Sequence, residues 1–253
     1  HKACLQVDAV INLASMAERL CSVDPQAALQ ANSGGTLTLA TVAATAGISR
    51  FVQVSTYKVY GNNPRGRVTE DTPCEPQSHY AITHRAAEDY ARSQHSNSVI
   101  FRLANGFGAP VNDAVNCWEI IVNELCRQVV VDGRITIRSS GRAWRNFVPM
   151  LDVVRALRAG ATNLPSGTYN LGSRESMQLR SLAERVADLS RGALGISPLV
   201  IVGPLIDGEN PIPLDFRSEK LAKAGFSSLA SLDDDVSNTL LAARAAFGRA
   251  ARG

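Results

Sequence analysis

Short apolar runs alternate with longer segments of helical periodicity over the first 108 residues. The runs at 7–14, 51–55 and 99–103 are apolar at consecutive positions, which is typical of strands in a parallel sheet covered on both faces. Helix formers at helical spacing fill 25–46, with Gly47 after them, and 80–94. This alternation predicts a doubly wound parallel α/β sheet of the Rossmann type. We expect the strand at 7–14 to be the most buried, so that the chain begins in the middle of its sheet.

The pattern changes beyond Gly108 and predicts a smaller C-terminal α/β region that binds substrate. We therefore divide the chain into 1–108, the remainder of a dinucleotide-binding domain that is incomplete at its N-terminus, and 109–253, from which some segments return to the first domain. The predicted elements are helices at 114–129, from Leu151, from Ser176 to Gly192 and after an N-cap at Ser231, strands at 134–138, 168–172 and 198–202, and a loop at 203–213.

Composition and charge exclude several classes of protein. A hydrophobic content of 45% and a charged content of 19% are those of a globular chain. The net charge of +3 is mild and the arginines are scattered, so we expect no nucleic-acid partner. No apolar run is long enough to cross a bilayer, and the five dispersed cysteines favour reduced thiols over disulfides or a metal site. The sequence predicts a cytoplasmic protein without a metal or membrane partner.

Hydroxyl groups follow a predicted strand at the edge where doubly wound sheets bind ligands. Ser55 and Thr56 end the strand, and Tyr80 begins the next helix. A Ser-Thr pair in this place is more often a cap or a turn. A tyrosine beside it could act as acid or base if a nearby cation lowered its pKa.

Collinear motifs over nearly the whole length give these residues a context. They are D-A-V-I-N-L-A at 8–14, N-S-G-G-T at 32–36, S-T-Y-K-V-Y-G at 55–61, Y-A-I-T-H at 80–84, R-L-A-N-G-F-G at 102–108, R-N-F-V-P-M-L-D-V at 145–153 and Y-N-L-G-S at 169–173. They resemble D-x-V-I-H-L-A-A, N-V-x-G-T, S-S/T-x-x-V-Y-G, Y-x-x-S-K, R-x-x-N-V-Y-G, R-D-F-V-H-V-x-D-V and Y-N-V-G-S. The chain is thus similar to the NAD-dependent epimerase/dehydratase family of extended short-chain dehydrogenases/reductases.

The resemblance implies a cofactor, a substrate class and a set of site residues. It implies NAD or NADP, a sugar substrate that is nucleotide-linked, and a homodimer. Thr56 would hold the sugar hydroxyl, and Tyr80 would move its proton while a hydride passes to nicotinamide. By the same resemblance the catalytic residues are Thr56, Tyr80 and His84, the cofactor-binding residues are Leu13, Ala14, Asn32, Ser55, Tyr80 and His84, and the substrate-binding residues are Thr56, Asn105 and Arg145.

The sequence departs from the family pattern at four places. The GxxGxxG loop is not in this sequence, and we expect it upstream. His84 replaces the lysine and, mostly neutral at pH 7, should lower the pKa of Tyr80 less. Tyr57 and Lys58 replace the Asp-Glu pair of the dehydratases, which argues against a 4,6-dehydratase. Asn146 stands where Asp is usual, which puts nucleotide-sugar specificity in doubt.

Three hypotheses follow from these residues. The first is an NAD(P)-dependent epimerase or reductase that acts on a sugar by hydride transfer with Thr56 and Tyr80. The second, based on His84 and the missing loop, is a catalytically weakened or inactive relative that binds nucleotide or a protein partner. The third is an oxidoreductase acting on a steroid or flavonoid-like substrate.

Overall fold

The chain forms two compact units in a computed structural model that describes Cys4 and residues 6–112, 114–205 and 212–248. The first unit comprises the described residues up to Ala104 together with Val154–Gly172 and Phe216–Ser227. The second comprises Asn105–Val153, Ser173–Asp215 and the described residues from Ser228 onward. The assignment of cofactor and substrate to separate domains stays a prediction.

Strands and helices alternate along the chain, as the sequence pattern predicted. The strands are β1 (Ala9–Asn12), β2 (Arg50–Thr56), β3 (Gly66–Val68), β4 (Ser98–Leu103), β5 (Asn105–Phe107), β6 (Arg134–Ile137), β7 (Trp144–Pro149), β8 (Gly167–Leu171), β9 (Ser176–Gln178), β10 (Leu199–Val202) and β11 (Leu214–Phe216). The helices are α1 (Glu18–Val23), α2 (Pro25–Ala28), α3 (Gly35–Thr45), α4 (His79–Gln94), α5 (Ile121–Asp132), α6 (Met150–Thr162), α7 (Leu179–Leu194), α8 (Glu219–Lys223) and α9 (Leu232–Phe247).

The first unit is built on a parallel sheet in the order β1-β2-β4-β8. The two central strands, β2 and β4, are buried on both faces, and Phe51, Val52 and Ile100 are completely inaccessible. Burial on both faces explains their continuous apolar sequences. The predicted parallel α/β fold is confirmed.

The prediction that the first strand is the most buried is wrong. Among the described residues β1 pairs with β2 alone, and it forms an edge of the sheet. Ile11 is 40% exposed and only Asn12 of this strand is buried. An apolar run identifies a strand, but its position in the sheet depends on pairing with residues distant in sequence.

The helix predicted at 25–46 contains a wide turn that periodicity did not indicate. Leu29–Gly34 is a π-helical segment between α2 and α3, and Gly47 ends the span with φ +72°. Such segments occur often at functional sites. Here it contains Asn32, one of the predicted site residues.

The second unit has its own apolar core between short sheets and three helices. β7 pairs in parallel with β5 and antiparallel with β9, while β6 pairs in parallel with β10. Helices α5, α7 and α9 cover the core. Its fully buried members include Phe107, Cys126, Phe147, Leu182 and Leu240.

Two predicted helices in this unit have wrong boundaries. The helix predicted from 114 begins only at Ile121, and the Asn112 side chain accepts a hydrogen bond from the N–H of Ala114 instead. The helix predicted at Ser176 begins at Leu179, because Ser176–Gln178 pairs with β7. It continues through Gly192 and ends at Gly195, which has φ +71°.

Several smaller expectations can also be compared with the structure. The Ser231 hydroxyl caps α9 by accepting from the N–H of Asp234 at 3.3 Å, as predicted. All five cysteines are free. The helices of the described residues include none that could span a membrane, and those residues contain no cluster of metal-ligating side chains. Residues 206–211 of the predicted loop at 203–213 lie outside the described residues.

Candidate active site

Thr56 and Tyr80 come together at the carboxyl end of the parallel sheet. Thr56 is the last residue of β2, and Tyr80 lies in the first turn of α4, whose N-cap Ser78 accepts from the N–H of Ala81 at 3.2 Å. The Thr56 hydroxyl also accepts from the N–H of Lys58 at 3.2 Å, so Thr56 caps the 3₁₀ turn that follows. The hydroxyls of Thr56 and Ser15 lie close enough to the Tyr80 phenol to lower its pKa.

The environment of Tyr80 disfavours the phenolate. Burial raises the pKa of Tyr80 to about 12, and the negative charge of Glu18 adds to the rise. The nearby hydroxyls of Thr56 and Ser15 lower the pKa, but their effect is smaller than that of burial. At neutral pH Tyr80 is therefore a proton donor, and it needs a partner to serve as a base.

His84 lies against Tyr80, one turn further along α4. The centroids of the two rings are 4.4 Å apart, as the i, i+4 spacing predicted. His84 is only 3% exposed, and burial lowers its pKa to about 4 against the opposing attraction of Glu88. Its Nε2 lies 3.0 Å from Ser15 Oγ, while its buried Nδ1 has no hydrogen-bond partner among the described residues. His84 is therefore neutral at pH 7.

The other cations considered in place of the lysine are engaged elsewhere. Lys58 forms an ion pair with Glu18. Arg85 pairs with Asp89 at 3.0 Å and donates to Cys74 Sγ at 3.3 Å. The positive charges of Lys58 and Arg85 are therefore balanced by acidic groups other than Tyr80.

The predicted cofactor residues differ in exposure. Leu13 is 62% exposed, and Ala14 is exposed beside it at the end of β1. Asn32 is buried, and its amide is already used inside the chain: Oδ1 accepts from the N–H of Met16 at 2.7 Å, and Nδ2 donates to Thr83 Oγ1 at 2.9 Å. Asn32 thereby connects the segment after β1 to α4. Its direct contact with the cofactor stays a prediction.

Ser55 belongs to a buried polar network beneath the site. Its hydroxyl donates to Glu88 Oε1 at 2.7 Å, and Glu88 also accepts from Arg102 Nη2 at 2.8 Å. Arg102 Nη1 donates to the Tyr60 hydroxyl, which in turn donates to Asn170 Oδ1. Glu88 is completely buried and Arg102 is 4% exposed, so the pair depends on these hydrogen bonds.

Asn105 and Arg145 belong to the second unit. Asn105 Nδ2 donates to the carbonyl of Asn146 at 2.8 Å, and Arg145 Nη1 donates to the carbonyl of Trp144 at 2.9 Å. Their proposed contact with a diphosphate stays a prediction.

The structure explains why Asn146 is tolerated in place of Asp. The side chain is completely buried, and its Nδ2 donates to the carbonyls of Ser173 and Glu175 at 3.0 and 3.2 Å. Oδ1 accepts from the N–H of Ser173 at 2.9 Å. A carboxylate could not donate to either carbonyl. The presence of Asn in place of Asp is therefore explained by the hydrogen bonds that Asn146 makes to the turn before β9.

Sequence reasoning missed Ser15 and Glu88. Ser15 stands at the second alanine of the D-x-V-I-H-L-A-A motif, so the sequence shows that this position is unusual. Its contact with His84 could not be predicted, because the two residues are 69 positions apart. Glu88 continues the i, i+4 series from Tyr80 through His84, and this spacing was the available signal.

Comparison with known proteins identifies the family of this chain. Residues 1–172 match the model of the NAD dependent epimerase/dehydratase family. A mouse (Mus musculus) dTDP-D-glucose 4,6-dehydratase is 26% identical over 216 residues, which are 83% of this chain and 59% of the relative. UDP-glucuronic acid decarboxylase 1 of Arabidopsis thaliana is 28% identical over 198 residues, which are 73% and 44% of the two chains.

A solved relative shares the fold over nearly the whole chain. The structure of UDP-glucuronic acid 4-epimerase from Bacillus cereus with UDP-glucuronic acid and NAD superposes with a TM-score of 0.80 and 22% identity, over 96% of this chain and 77% of that one. The chain itself spans 59% of the length of the mouse relative. The family match covers well over half of the chain and confirms the resemblance seen in the motifs, so this protein belongs to the NAD-dependent epimerase/dehydratase family.

Proposed function

We propose that the protein is an NAD(P)-dependent epimerase or reductase that acts on a nucleotide-linked sugar. Thr56 holds the sugar hydroxyl, and Tyr80 exchanges its proton while hydride passes between the sugar carbon and nicotinamide. The observation that carries the proposal is that Thr56 ends β2 close enough to the Tyr80 phenol to lower its pKa. This is the edge at which parallel sheets bind their ligands.

The surroundings of this pair fit a dinucleotide. Leu13, Ala14 and Ser15 are exposed immediately after β1 and offer an apolar and polar surface beside Tyr80. The cofactor would supply the hydride acceptor there, while the chain supplies the groups that orient the sugar and move the proton. The Bacillus cereus relative is described with both NAD and a UDP-sugar, which supports the same pair of ligands here.

The side chains after Thr56 argue against a dehydratase, although several relatives carry that name. Tyr57 is 2% exposed and packs edge-on against Phe216 with centroids 5.9 Å apart. Lys58 is paired with Glu18. Neither side chain supplies the carboxylate acid/base pair that removal of water requires.

A weakened enzyme is the second candidate, and the neutral His84 favours it. No cation replaces the lysine beside Tyr80 among the described contacts, and the phenol pKa of about 12 slows any step that needs the phenolate. Such a protein would bind the same ligands and turn them over slowly or not at all.

Calorimetric titration with NAD⁺ and NADP⁺, followed by incubation with UDP- and dTDP-sugars, tests the proposal. We expect one of the two cofactors to bind, and Tyr80→Phe to reduce turnover by about 10²-fold or more while cofactor affinity is kept. Tyr90→Phe, an exposed position on the same helix, is the matched control and should behave as wild type.

The outcomes separate the two candidates. Binding without turnover, combined with a gain of turnover in His84→Lys, would identify the weakened enzyme. A folded protein that carries the expected GxxGxxG loop and binds neither cofactor, or a Tyr80→Phe variant as active as wild type, would overturn the proposal.

A further inference from the structure

Two residues that depart from the family motifs, Ser15 and His84, contact each other beside Tyr80. Ser15 stands where D-x-V-I-H-L-A-A has its second alanine, and His84 stands where Y-x-x-S-K has its lysine. The residues are 69 positions apart in sequence, yet Ser15 Oγ lies 3.0 Å from His84 Nε2. The Ser15 hydroxyl also lies close enough to the Tyr80 phenol to lower its pKa, and the His84 ring packs against the Tyr80 ring. An alanine at position 15 could not make the hydrogen bond to His84, and it would have no hydroxyl to offer the phenol.

We propose that Tyr80, Ser15 and His84 form a hydrogen-bonded proton relay that takes the place of the tyrosine–lysine pair. The inference rests on the proposed function, because it names the group that receives the proton in that reaction. Ser15 touches Tyr80 and acts through it, so it is a positioning residue as well as a proton carrier. The lysine would stabilise a phenolate by charge, whereas the relay removes the phenol proton by passing it on.

The hydrogen-bonding capacity of the three groups allows this direction of transfer. The single Ser15 hydrogen has two nearby acceptors, His84 Nε2 at 3.0 Å and the carbonyl of Met16 at 3.2 Å. With Ser15 donating to Nε2, its oxygen is free to accept from the Tyr80 hydroxyl. His84 Nδ1 has no partner among the described residues, so Ser15 is the contact that governs which nitrogen carries the proton.

Protons and electrons balance in the resulting step. The sugar carbon loses hydride to nicotinamide and its hydroxyl proton to the Tyr80 oxygen. The phenol hydrogen passes to Ser15 Oγ, the Ser15 hydrogen passes to His84 Nε2, and the imidazole becomes imidazolium. Reduction of the ketone reverses each transfer, so an epimerase recovers its proton within one cycle.

The charges around the relay favour its return to the neutral state. Glu88 faces His84 from the next turn of α4 but is bound to Arg102 at 2.8 Å, with Arg85 and Arg92 at 3.8 and 3.6 Å. Glu18 and Cys21, from α1, face Tyr80, and Glu18 is paired with Lys58. Among the described residues no unpaired carboxylate faces His84 to stabilise the imidazolium, so His84 holds the proton only briefly.

The test is a double-mutant cycle read by ¹⁵N NMR of the imidazole nitrogens of His84 at neutral pH, without substrate. The relay requires an unprotonated Nε2 that accepts from Ser15. We expect Tyr80→Phe, which removes the hydroxyl and keeps the ring, to shift the Nε2 resonance. We expect that effect to disappear in the Ser15→Ala background, because the connection passes through Ser15. Ser93→Ala, an exposed serine on α4, should leave the cycle unchanged.

Either of two results would overturn the relay. One is a Tyr80→Phe shift of equal size with and without Ser15, which would reflect ring contact alone. The other is a protonated Nε2 at neutral pH. Where turnover is measurable, Ser15→Ala should lower kcat about tenfold with little change in KM, and Ser15→Thr should restore most of it. Failure of cofactor binding or of sugar turnover with an intact NMR cycle would refute the proposed function and leave the hydrogen-bonded chain standing.

Discussion

Burial of a neutral histidine should make the stability of this protein depend on pH below neutrality. Burial lowers the pKa of His84 from 6.5 to about 4. A base whose pKa is lower in the folded chain binds its proton more readily in the unfolded chain. Protonation therefore favours unfolding, and stability falls as the pH drops from 6.5 towards 4.

The size of the effect follows from the two pKa values. Between pH 7 and pH 5 the linkage lowers the free energy of unfolding by about 2 kcal/mol, and by pH 4 the loss reaches about 3 kcal/mol. Above pH 7 the contribution is negligible, because the imidazole is neutral in both states.

Urea unfolding of wild type and His84→Asn at pH 7 and pH 5 measures this contribution. Carboxylates titrate in the same range, so the informative quantity is the difference between the two proteins in their loss of stability. We expect wild type to lose about 2 kcal/mol more than the variant. His79→Asn, at an exposed position in the first turn of the same helix, should follow wild type. Parallel pH dependences for wild type and His84→Asn would refute the assigned burial of a neutral imidazole.

Two further substitutions test the buried polar groups through urea unfolding at pH 7. Glu88→Gln removes the charge that offsets the buried Arg102, so it should cost about 3–5 kcal/mol, while Glu184→Gln breaks an exposed pair and should cost less than about 1 kcal/mol. Similar losses for the two would contradict the buried assignment. Asn146→Asp places a carboxylate against the carbonyls of Ser173 and Glu175 and should cost about 2–3 kcal/mol, and a stability within error of wild type would show that the turn does not need the amide.

Much of the first unit could be predicted from local sequence. The strands at 50–56 and 98–103 and the helix at 79–94 lie within two residues of their predicted bounds. The strands are continuous apolar runs and the helix has clear helical periodicity, and both signals are local. The second unit was predicted less well. The sequence predicted Ser176–Gln178 as the first turn of a helix, but the segment is a strand. It pairs with β7, some 30 residues earlier, and local sequence cannot predict such pairing.

The candidate site, too, could be predicted from the sequence only in part. The motifs placed Thr56, Tyr80 and His84 together because two of them share one helix face and the third ends a neighbouring strand. The protonation states could not be predicted from the motifs, since a histidine exposed on a helix would have kept its ordinary pKa.

The sequence by itself determined the family, the parallel α/β fold and the identity of the two catalytic candidates, since these depend on local periodicity and on motifs that are continuous in the chain. Only the tertiary structure decided that β1 pairs with β2 alone among the described residues, that Asn146 serves a turn, and that Ser15 contacts His84. Each of these depends on residues that are distant in sequence and adjacent in space. Burial and hydrogen bonding at such contacts set the pKa values and the direction in which a proton can move.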